Sequence, residues 1–541
     1  MTDPWKGLLL NVRKLSDAKQ QVNVGEHIGL VTYHIHLLKR YNRNIVMNIF
    51  VEHESVSDML PDMTIPDDTE TYRDAAIGTT LNKYQRQSLW TLCEEFSDIL
   101  TSQPGRTDII KHEIKTTSET PISLRPNTIP YARRDEVKKL LNQMLKDGHI
   151  VPSKSPWSSP IVLINKNDGS IRLCVNYRKL NDITQSDGYP IPRIDEIIQK
   201  LGDSNYLSRV DLSKGFWQCE LHEQSRAKSA FITPFGQYEF TVMPFGMKTS
   251  PSTFARLIDK VVGDLQNVVT YFDDLIIFSD TFDEHLNHLR NVFGRLREAN
   301  LTVRPSKCDL AFEEVHCLGH IVGNGIVKPD PKKVQAMVDF PLPINKKGLR
   351  SFLGLVGYYR NYIRDFSAIA QPLTDLLQKN KPNQIVWTDN EVTAFKALKN
   401  AMMHVPVLRN PDFHRPFILQ TDASDFAIGA VLSETFENGE HPIAFLSRKL
   451  LPRERNYSVV EKECLAIVWS TESLNYYLSG QKFTIETDHN PLTWLTKMKD
   501  KNQRLLRWAL LLQQYDFKIN YRSGASNTKC RWDVSSIIHL F

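Results

Sequence analysis

The sequence predicts an α+β protein of several domains, because two regions of mixed strand and helix are separated by a helical one. Between Pro160 and about Gly325, short apolar strands and turns alternate with helical stretches at 250–265 and 282–300. From Phe417 onward, the order strand, strand, helix, strand, helix, strand indicates one compact α/β domain. At roughly 100–200 residues per domain, the 541 residues have room for about three to five domains or subdomains.

The rest of the chain is mostly helical, with extended segments between the helices. Helical periods run through 82–100, 133–146 and 346–379. Extended or linker segments are indicated at 61–68, 121–130 and 382–387. Residues 1–75 give a weaker pattern, in which alternation at 45–51 suggests a strand.

Composition and charge narrow the class of protein. Hydrophobic residues make up 41% of the chain and charged residues 24%, which suffices to bury several cores. A net charge of +5 does not by itself indicate a nucleic-acid partner, so only local basic clusters can do so. The seven cysteines form no CxxC pair, which predicts reduced thiols inside the cell. No apolar run is long enough to cross a membrane, and the N-terminus lacks a signal-peptide pattern.

The strongest local signal is a pair of adjacent aspartates, Asp273 and Asp274, at a turn between two apolar runs. Neighbouring carboxylates repel each other, and burial increases the cost. A divalent cation removes the conflict, and Mg²⁺ prefers carboxylate and phosphate oxygens. Asp211, at the end of another apolar strand, supplies a third carboxylate. The alternative is that the pair forms an ordinary hairpin turn and that Asp211 simply ends a strand.

A series of motifs then identifies a family. The matching segments include SPWSSPIVLINKNDGSIRLCVNYRKLN, VDLSKGFWQ, TPFGQYEFTVMPFGMKTSPSTFARLID, YFDDLIIFS, CLGHIV and LRSFLGLVGYYRNYI. In this order they resemble the polymerase and ribonuclease H of gypsy-type (LTR) retrotransposon Pol polyproteins, over about residues 107–528. The resemblance implies a right-hand polymerase with fingers, palm and thumb, followed by a ribonuclease H-like α/β domain. It also implies that Asp211, Asp273 and Asp274 ligate the catalytic Mg²⁺, with Mn²⁺ as an alternative.

The same resemblance assigns residues that bind the incoming nucleotide. Lys166 and Arg172 match the residues of the fingers that hold the triphosphate, and phosphates require cationic partners. Phe216 matches the aromatic residue under the nucleotide sugar, where a ring excludes a ribose 2′-hydroxyl. Phe245 is expected in the same pocket. The alternatives are solvated strand charges for Lys166 and Arg172 and core packing for Phe216.

Contacts with the nucleic-acid backbone are expected at three further places. Leu318 and Gly319, followed by His320, match the hairpin that grips the primer end. Basic residues cluster at Arg133, Arg134, Lys138, Lys139 and Lys146, and again at Lys497, Lys499, Lys501, Arg504 and Arg507. Such clusters bind phosphates without sequence preference, although each member could equally be a solvated surface charge.

A second carboxylate set is predicted in the C-terminal domain. Asp422 lies in its first strand, Glu463 on its first helix and Asp488 at the end of a later strand. Three carboxylates so placed can bind two metal ions for RNA hydrolysis, as the resemblance to ribonuclease H implies. Glu461 competes with Glu463, but residues two apart on a helix face different directions, and the family pattern favours Glu463.

The fourth carboxylate of this set is missing. The family pattern ends in Asn-Ala-Asp, but Arg531 occupies the position of the aspartate, where a cation would repel metal ions. One choice of codons for the residues from Lys529 onward, read one base later, encodes Asn-Ala-Asp-Gly-Met-Ser-Arg. The sequence therefore suggests a frameshift near Thr528 and Lys529, with which the unusual tail and its abrupt end agree. Asp533 could replace the missing group only if its offset of two positions were tolerated.

Two histidine pairs resemble metal sites without completing one. His285 and His288 lie on one helix, and His34 and His36 lie near the N-terminus, but neither pair has cysteine partners at zinc-site spacing. Both pairs are therefore predicted to be structural. The sequence shows neither the His-His-Cys-Cys module of an integrase nor the Asp-Ser/Thr-Gly motif of an aspartic protease.

The expected layout assigns one role to each stretch of chain. It comprises an N-terminal segment of uncertain role at 1–75, a helical and extended lead-in at 76–144, fingers and palm at 145–324, a thumb and connection at 325–410, a ribonuclease H-like domain at 411–530 and an aberrant tail at 531–541.

The expected function is RNA- and DNA-templated DNA synthesis by two-metal nucleotidyl transfer, with degradation of RNA in RNA–DNA hybrids. The partners would be an RNA template, a DNA primer–template, an RNA–DNA hybrid and deoxynucleoside triphosphates, in a cytoplasmic particle or the nucleus. The alternatives are an inactive element remnant, with which the altered tail agrees, and a host protein that binds nucleic acid without catalysis. The intact Asp211, Asp273 and Asp274 argue against the second alternative.

Overall fold

The computed structural model describes residues 70–165, 171–190, 193–271, 274–487 and 503–521. The predicted strand at 45–51, the pair His34 and His36, and the altered tail lie outside the described residues. The same holds for the predicted site residues Lys166, Asp273 and Asp488. In the part of the chain that is described, no helix is both long enough and apolar enough to traverse a bilayer.

A five-stranded sheet carries the first carboxylate set, and it is called the palm sheet below. Its strands, in spatial order, are Ala76–Ile77, Asp309–Phe312, Tyr206–Asp211, Asp274–Ser279 and Val268–Tyr271. Successive side chains of a strand point to opposite faces, so Leu275 and Ile277 enter one core and Ile276 another. The first of these cores is shared with the helices Lys83–Glu95, Ser250–Val262 and Phe282–Glu298. The palm sheet is therefore buried on both faces.

The region expected to form the fingers has a core of its own. A second sheet has the strand order Ile150–Pro152, Gly236–Phe240, Phe231–Thr233, Ser159–Asn165 and Ile171–Val175. The accompanying helices are Arg134–Lys146, Arg178–Ile183 and Glu223–Arg226, and a two-stranded sheet pairs Thr107–His112 with Cys219–Leu221. Val137, Leu141, Phe231 and Phe240 are buried together in this core. The helix predicted at 133–146 is thus confirmed and closes one side of it.

The next part of the chain covers the second face of the palm sheet. A four-stranded sheet is formed by Glu314–Cys317, His320–Gly323, Ile326–Pro329 and Leu408–Arg409. The helices here are Ile194–Leu201 from the earlier chain and Pro331–Val338, Lys346–Tyr358, Phe366–Ile369, Gln371–Leu376 and Asp389–Met403. Buried residues of these elements pack with Leu207 and Ile276 of the palm sheet. One hydrophobic core therefore joins this connection to the strands that carry Asp211 and Asp274.

The stretch expected to be helical at 346–379 consists of several short helices and not of one long helix. The first helix ends at Tyr358, a 3₁₀ turn follows at Arg360–Tyr362, and Asp365 adopts a left-handed conformation with φ of 52°. Aspartate tolerates this conformation better than most residues. Apolar periodicity does not report such a local backbone reversal, so the pattern alone could not reveal the break.

The C-terminal domain is a five-stranded mixed sheet with helices packed on it. Its strand order is Gly439–Lys449, Ala427–Phe436, Phe417–Ala423, Lys482–Thr487 and Asp516–Tyr521. Pairing is antiparallel among the first three strands and parallel among the last three. The helices are Pro452–Arg455, Val459–Ser473, Asn475–Leu478 and Gln503–Leu512.

The sequence did not predict one strand of this domain, Gly439–Lys449. It predicted a helix directly after the second strand of the domain. This edge strand buries four consecutive residues, from Pro442 to Phe445, instead of alternate ones. Ile443 packs into the core of its own domain, whereas Phe445 packs into the core of the connection. Burial on both sides removes the alternation by which a strand is normally predicted.

Polar contacts join the same edge strand to the connection. The backbone N–H of Ser367 donates to Ser447 Oγ at 2.9 Å, and Ser367 Oγ donates to the Ser447 carbonyl at 2.8 Å. Lys449 Nζ lies 2.5 Å from a carboxylate oxygen of Asp375. These contacts fix the C-terminal domain against the connection.

A buried histidine links two adjacent strands of the palm sheet, Tyr206–Asp211 and Asp274–Ser279, and this arrangement is called the palm clamp below. His285 Nε2 lies 2.7 Å from Ser208 Oγ, and its Nδ1 lies 3.0 Å from Ser279 Oγ. Ser279 Oγ also lies 2.7 Å from His288 Nδ1. No group of three or more metal-ligating side chains occurs among the described residues. The contacts of His285 and His288 with Ser208 and Ser279 are of the kind expected for a structural role.

The palm clamp predicts a pH dependence of stability. Burial lowers the pKa of His285 to about 3, so the folded protein keeps this side chain neutral while the unfolded chain protonates it near pH 6.5. The contribution is fully present above pH 6.5 and declines as the pH falls. Between pH 7 and pH 5 we expect a loss of about 2 kcal/mol of unfolding free energy from this residue alone.

Denaturant unfolding of the wild type and of His285→Gln at pH 7 and pH 5 measures this contribution. The variant should be less stable at pH 7, and its stability should change less with pH than that of the wild type. An equal pH dependence in both proteins would contradict the buried neutral state of His285.

Candidate active sites

The palm sheet brings two of the three predicted polymerase carboxylates together. In the antiparallel pair formed by Tyr206–Asp211 and Asp274–Ser279, Asp274 is the direct partner of Asp211. Such partners have Cα atoms about 4.5–5.5 Å apart. Asp274 also pairs with Tyr271 across the adjoining hairpin. Asp273 lies in sequence within the two-residue link of that hairpin and outside the described residues.

Burial dominates the electrostatics of the two carboxylates. Burial raises the pKa of Asp211, Lys307 opposes this shift and the neighbouring Asp274 adds to it, and the net pKa is about 6. Lys307 Nζ lies 3.7 Å from Asp211 Oδ2. Burial likewise raises the pKa of Asp274, against the opposing effect of Arg209. Two adjacent, partly buried carboxylates that favour a nearby positive charge are a suitable oxygen donor set for a divalent cation.

Lys307 was not predicted from the sequence. It ends the short 3₁₀ turn Pro305–Lys307, just before the palm strand Asp309–Phe312. That strand is a spatial neighbour of Tyr206–Asp211 although about one hundred residues separate them in sequence. Only the strand order reveals that this lysine lies beside Asp211.

The residues predicted to line the nucleotide pocket belong to a group of aromatic rings. The rings of Phe216 and Phe245 are stacked, with centroids 5.1 Å apart and an interplanar angle of 29°. Phe254, which the sequence did not single out, lies 5.3 Å from Phe216. Lys214 adopts a left-handed conformation with φ of 50° and begins the 3₁₀ turn Gly215–Gln218. This tight turn places Phe216 five residues beyond Asp211 with its ring only partly buried.

Of the two residues predicted to bind phosphate, the structure describes Arg172 but not Lys166. Arg172 lies on the strand Ile171–Val175, opposite Ile164, and is partly buried. Lys166 lies outside the described residues. The strand pairing shows that the sheet of the fingers carries Arg172 at the end next to the link 166–170.

Leu318 and Gly319 form the two-residue link of a tight hairpin, which is called the grip turn below. Cys317 and His320 are register partners on its two strands. Leu318 has φ of 52° and Gly319 has φ of 78°. The sequence predicted a role for glycine here, and the positive φ provides the conformational reason.

The C-terminal domain places Asp422 and Glu463 on elements that pack against each other. Asp422 is exposed near the end of the strand Phe417–Ala423, and Glu463 is only 4% exposed on the helix Val459–Ser473. Strand Lys482–Thr487 runs parallel to the Asp422 strand, so both end at the same edge of the sheet. Asp488 follows this strand in sequence but lies outside the described residues.

The contacts of Glu461 distinguish it from Glu463, the other candidate metal ligand on this helix. Glu461 accepts a hydrogen bond from the Ser458 backbone N–H at 2.9 Å and so caps the start of the helix. It also forms an ion pair with Arg504 at 2.8 Å. These contacts support the choice of Glu463 as the candidate metal ligand, because Glu461 is committed to capping.

Some of the predicted basic residues are engaged in local contacts. Arg133 pairs with Glu136 at 2.9 Å, Arg134 lies over the ring of Tyr131, and Arg504 pairs with Glu461. Lys138 and Lys139 are exposed on the helix Arg134–Lys146. The cluster at 497–501 lies outside the described residues. The exposed lysines therefore remain the best candidates for contacts with phosphate.

Comparison with protein families gives two matches. Residues 164–322 match the family described as reverse transcriptase (RNA-dependent DNA polymerase). Residues 412–515 match the family described as an RNase H-like domain found in reverse transcriptase. The first match contains Asp211 and Asp274, and the second contains Asp422 and Glu463.

Two curated relatives extend these matches over most of the chain. The retrovirus-related Pol polyprotein from transposon 297 of Drosophila melanogaster is 43% identical over 429 residues, covering 78% of this chain and 40% of that protein. The Pol polyprotein from transposon gypsy of the same species is 34% identical over 497 residues, covering 88% of this chain and 48% of that protein. The chain thus spans less than half the length of either relative.

A solved structure shows the same fold. The foamy viral protease-reverse transcriptase in complex with dsDNA matches with a TM-score of 0.76 and 24% identity, covering 85% of this chain and 98% of that one. The architecture is accordingly a right-hand polymerase followed by a ribonuclease H-like domain. With these matches, the chain contains a reverse transcriptase domain and an RNase H-like domain, and it is homologous to part of the Pol polyproteins of retrotransposons.

Proposed function

We propose that this chain is an RNA- and DNA-templated DNA polymerase whose active site is built on Asp211, Asp273 and Asp274. The observation that carries the proposal is the register that makes Asp211 the direct partner of Asp274 on two buried strands. Burial raises the pKa of both carboxyl groups, and a nearby cation would favour the form in which both are ionised. Mg²⁺ suits this donor set, with Mn²⁺ as the alternative.

The proposed reaction joins the primer 3′-hydroxyl to the α-phosphate of a deoxynucleotide, and pyrophosphate leaves. Bound divalent ions would activate the hydroxyl and stabilise the charge of the leaving group. The protein positions the reactants: Arg172 and Lys166 bind the triphosphate, Phe216 and Phe245 line the sugar pocket, and the grip turn places the primer end. Catalysis then depends mostly on positioning and charge neutralisation.

The ribonuclease H-like domain is proposed to hold divalent ions with Asp422, Glu463 and Asp488 and to hydrolyse RNA in RNA–DNA hybrids. Arg531 stands where the family pattern has its last aspartate. A cation beside the metal site lowers the affinity for metal ions. Hybrid cleavage is therefore expected to be much weaker than polymerisation.

The domain layout given above, with fingers and palm at 145–324, is part of the proposal. So are the partners: RNA template, DNA primer–template, hybrid and deoxynucleoside triphosphates. The foamy viral relative in fold was solved with dsDNA, which supports a duplex partner. An intracellular setting, in a particle or the nucleus, is supported by free cysteines throughout the described residues.

An inactive remnant is the second candidate, because Arg531 interrupts the carboxylate set of the C-terminal domain. The three proposed polymerase carboxylates carry no such change in sequence, and the register pairing of Asp211 with Asp274 supports an active site. Primer extension decides between the two candidates, because a remnant that only binds nucleic acid would not extend a primer.

Removing either described carboxylate should abolish extension. We expect Asp211→Asn and Asp274→Asn to lower the rate of primer extension on an RNA template by at least about a hundredfold, because each change removes a metal-binding oxygen. Asp280→Asn is the matched control, because Asp280 is exposed just beyond the other end of the Asp274 strand. Unchanged extension by Asp274→Asn would contradict the proposed site.

The aromatic pocket predicts sugar selectivity. Replacing Phe216 with valine removes the ring that would meet a 2′-hydroxyl, so we expect the preference for deoxynucleotides over ribonucleotides to fall by about one to two orders of magnitude. Phe216→Tyr keeps the ring and should keep the preference. Single-nucleotide incorporation with dATP and ATP measures the ratio, and equal ratios in both variants would rule out this role of Phe216.

Replacing Arg531 in the altered tail is expected to increase the cleavage of RNA in hybrids. Arg531→Asp replaces a repelling cation with a metal-binding carboxylate, so cleavage of the RNA strand of a hybrid should rise by about tenfold or more. Arg531→Asn removes the cation without adding a ligand and should raise cleavage less. Primer extension should stay constant in both variants. Strong hybrid cleavage by the wild type would show that the chain does not need the missing aspartate.

A further inference from the structure

The grip turn has a backbone conformation that needs external support. Both central residues, Leu318 and Gly319, have positive φ, as a two-residue hairpin link of type I′ requires. Glycine adopts this conformation without cost, but leucine does not. A non-glycine residue in this region persists when the surrounding structure holds it. The contacts of this turn therefore determine where it lies.

Two adjacent tyrosines hold the turn by its backbone. Tyr358 Oη donates a hydrogen bond to the carbonyl of Leu318 at 2.6 Å, and Tyr359 Oη donates one to the carbonyl of Gly319 at 2.6 Å. The backbone N–H of Asp330 also donates to the Gly319 carbonyl, at 3.1 Å. Both carbonyl groups of the turn thus receive a phenolic hydroxyl, one from each of two consecutive residues.

The two tyrosines leave little space for a side chain at Gly319. A Cβ atom at position 319 would lie 3.1 Å from Tyr359 Oη and 3.6 Å from a ring carbon of Tyr358. The two tyrosine rings meet edge to face at 4.9 Å. A side chain at Gly319 would press on the hydroxyl that supports the turn, so both the φ of this residue and its neighbours favour glycine.

The tyrosines are themselves fixed relative to the palm sheet. They lie at the end of the helix Lys346–Tyr358, whose Phe352 and Val356 are buried in one core with Leu207 and Ile276. Leu207 lies on the Asp211 strand and Ile276 on the Asp274 strand. Tyr359 belongs to the same core and is 2% exposed. A continuous packed path therefore runs from the strands of the carboxylates to the hydroxyls that hold the grip turn.

From this geometry we propose that Tyr358 and Tyr359 are positioning residues of the polymerase site. Their hydroxyls set the grip turn at a fixed place relative to the strands that carry Asp211 and Asp274, and so align the primer 3′-end with the carboxylates. The inference rests on the proposed polymerase function and assigns the placing of the primer terminus to a segment of the connection. A small misplacement of the reacting atom is enough to slow chemistry by one or two orders of magnitude.

The double variant Tyr358→Phe/Tyr359→Phe tests the proposal, because it removes only two oxygen atoms and keeps both rings. We expect the rate of single-nucleotide incorporation to fall about tenfold. The KM for the nucleotide and the affinity for a primer–template should change less than about twofold, since neither is bound through these hydroxyls. Backbone hydrogen exchange at residues 316–321 should rise, while exchange in the strands of the palm sheet stays constant.

Tyr476→Phe is the matched control, because it removes a phenolic hydroxyl that contacts the side chain of Gln199 at 2.5 Å, away from the turn. It should leave incorporation unchanged. An active wild type combined with a normal rate in the double variant would overturn the inference and leave the polymerase proposal intact. So would faster exchange at the turn without loss of rate. An inactive wild type would overturn the polymerase proposal and this inference together.

Discussion

The palm depends on one electrostatic constraint: two carboxylates, Asp211 and Asp274, are register partners on buried strands. Burial and mutual repulsion both oppose their ionisation, and burial raises the pKa of each. Lys307 and Arg209 offset only part of this cost. The palm clamp at His285 fixes the two strands that bear the carboxylates. A cationic partner, as in the proposed metal site, would offset the cost of keeping this pair together.

The grip turn and the helix that supports it belong to the elements packed on the second face of the palm sheet. A single core contains palm strands, the hairpin of the grip turn and the helix Lys346–Tyr358. Phe445 of the C-terminal domain enters the same core, and Ser447 and Lys449 make polar contacts with the connection. The connection is therefore more than a spacer, since it contacts the grip turn on one side and the ribonuclease H-like domain on the other.

The sequence predicted the general architecture and left specific geometry open. Apolar runs and turns located most strands and helices, and motif order indicated the family. It missed the strand Gly439–Lys449, because two-sided burial hides alternation, and it did not reveal the break near Asp365, because periodicity does not report a left-handed residue. Of the candidate site, Asp211, Asp274 and Phe216 could be named from motifs. Lys307 and Phe254 could not, because their proximity arises only from strand order and helix packing.

Manganese binding at the palm tests the central claim most directly. Electron paramagnetic resonance on the protein with a dideoxy-terminated primer–template and the next nucleotide should detect a pair of spin-coupled Mn²⁺ ions, about 3.5–4 Å apart as in two-metal sites. The Glu463→Gln background removes a proposed ligand of the ribonuclease H-like site and isolates the palm signal. Loss of the coupled signal in Asp211→Asn is the predicted result. Persistence of that signal in the variant, or its absence from the protein with intact palm carboxylates, would contradict the account.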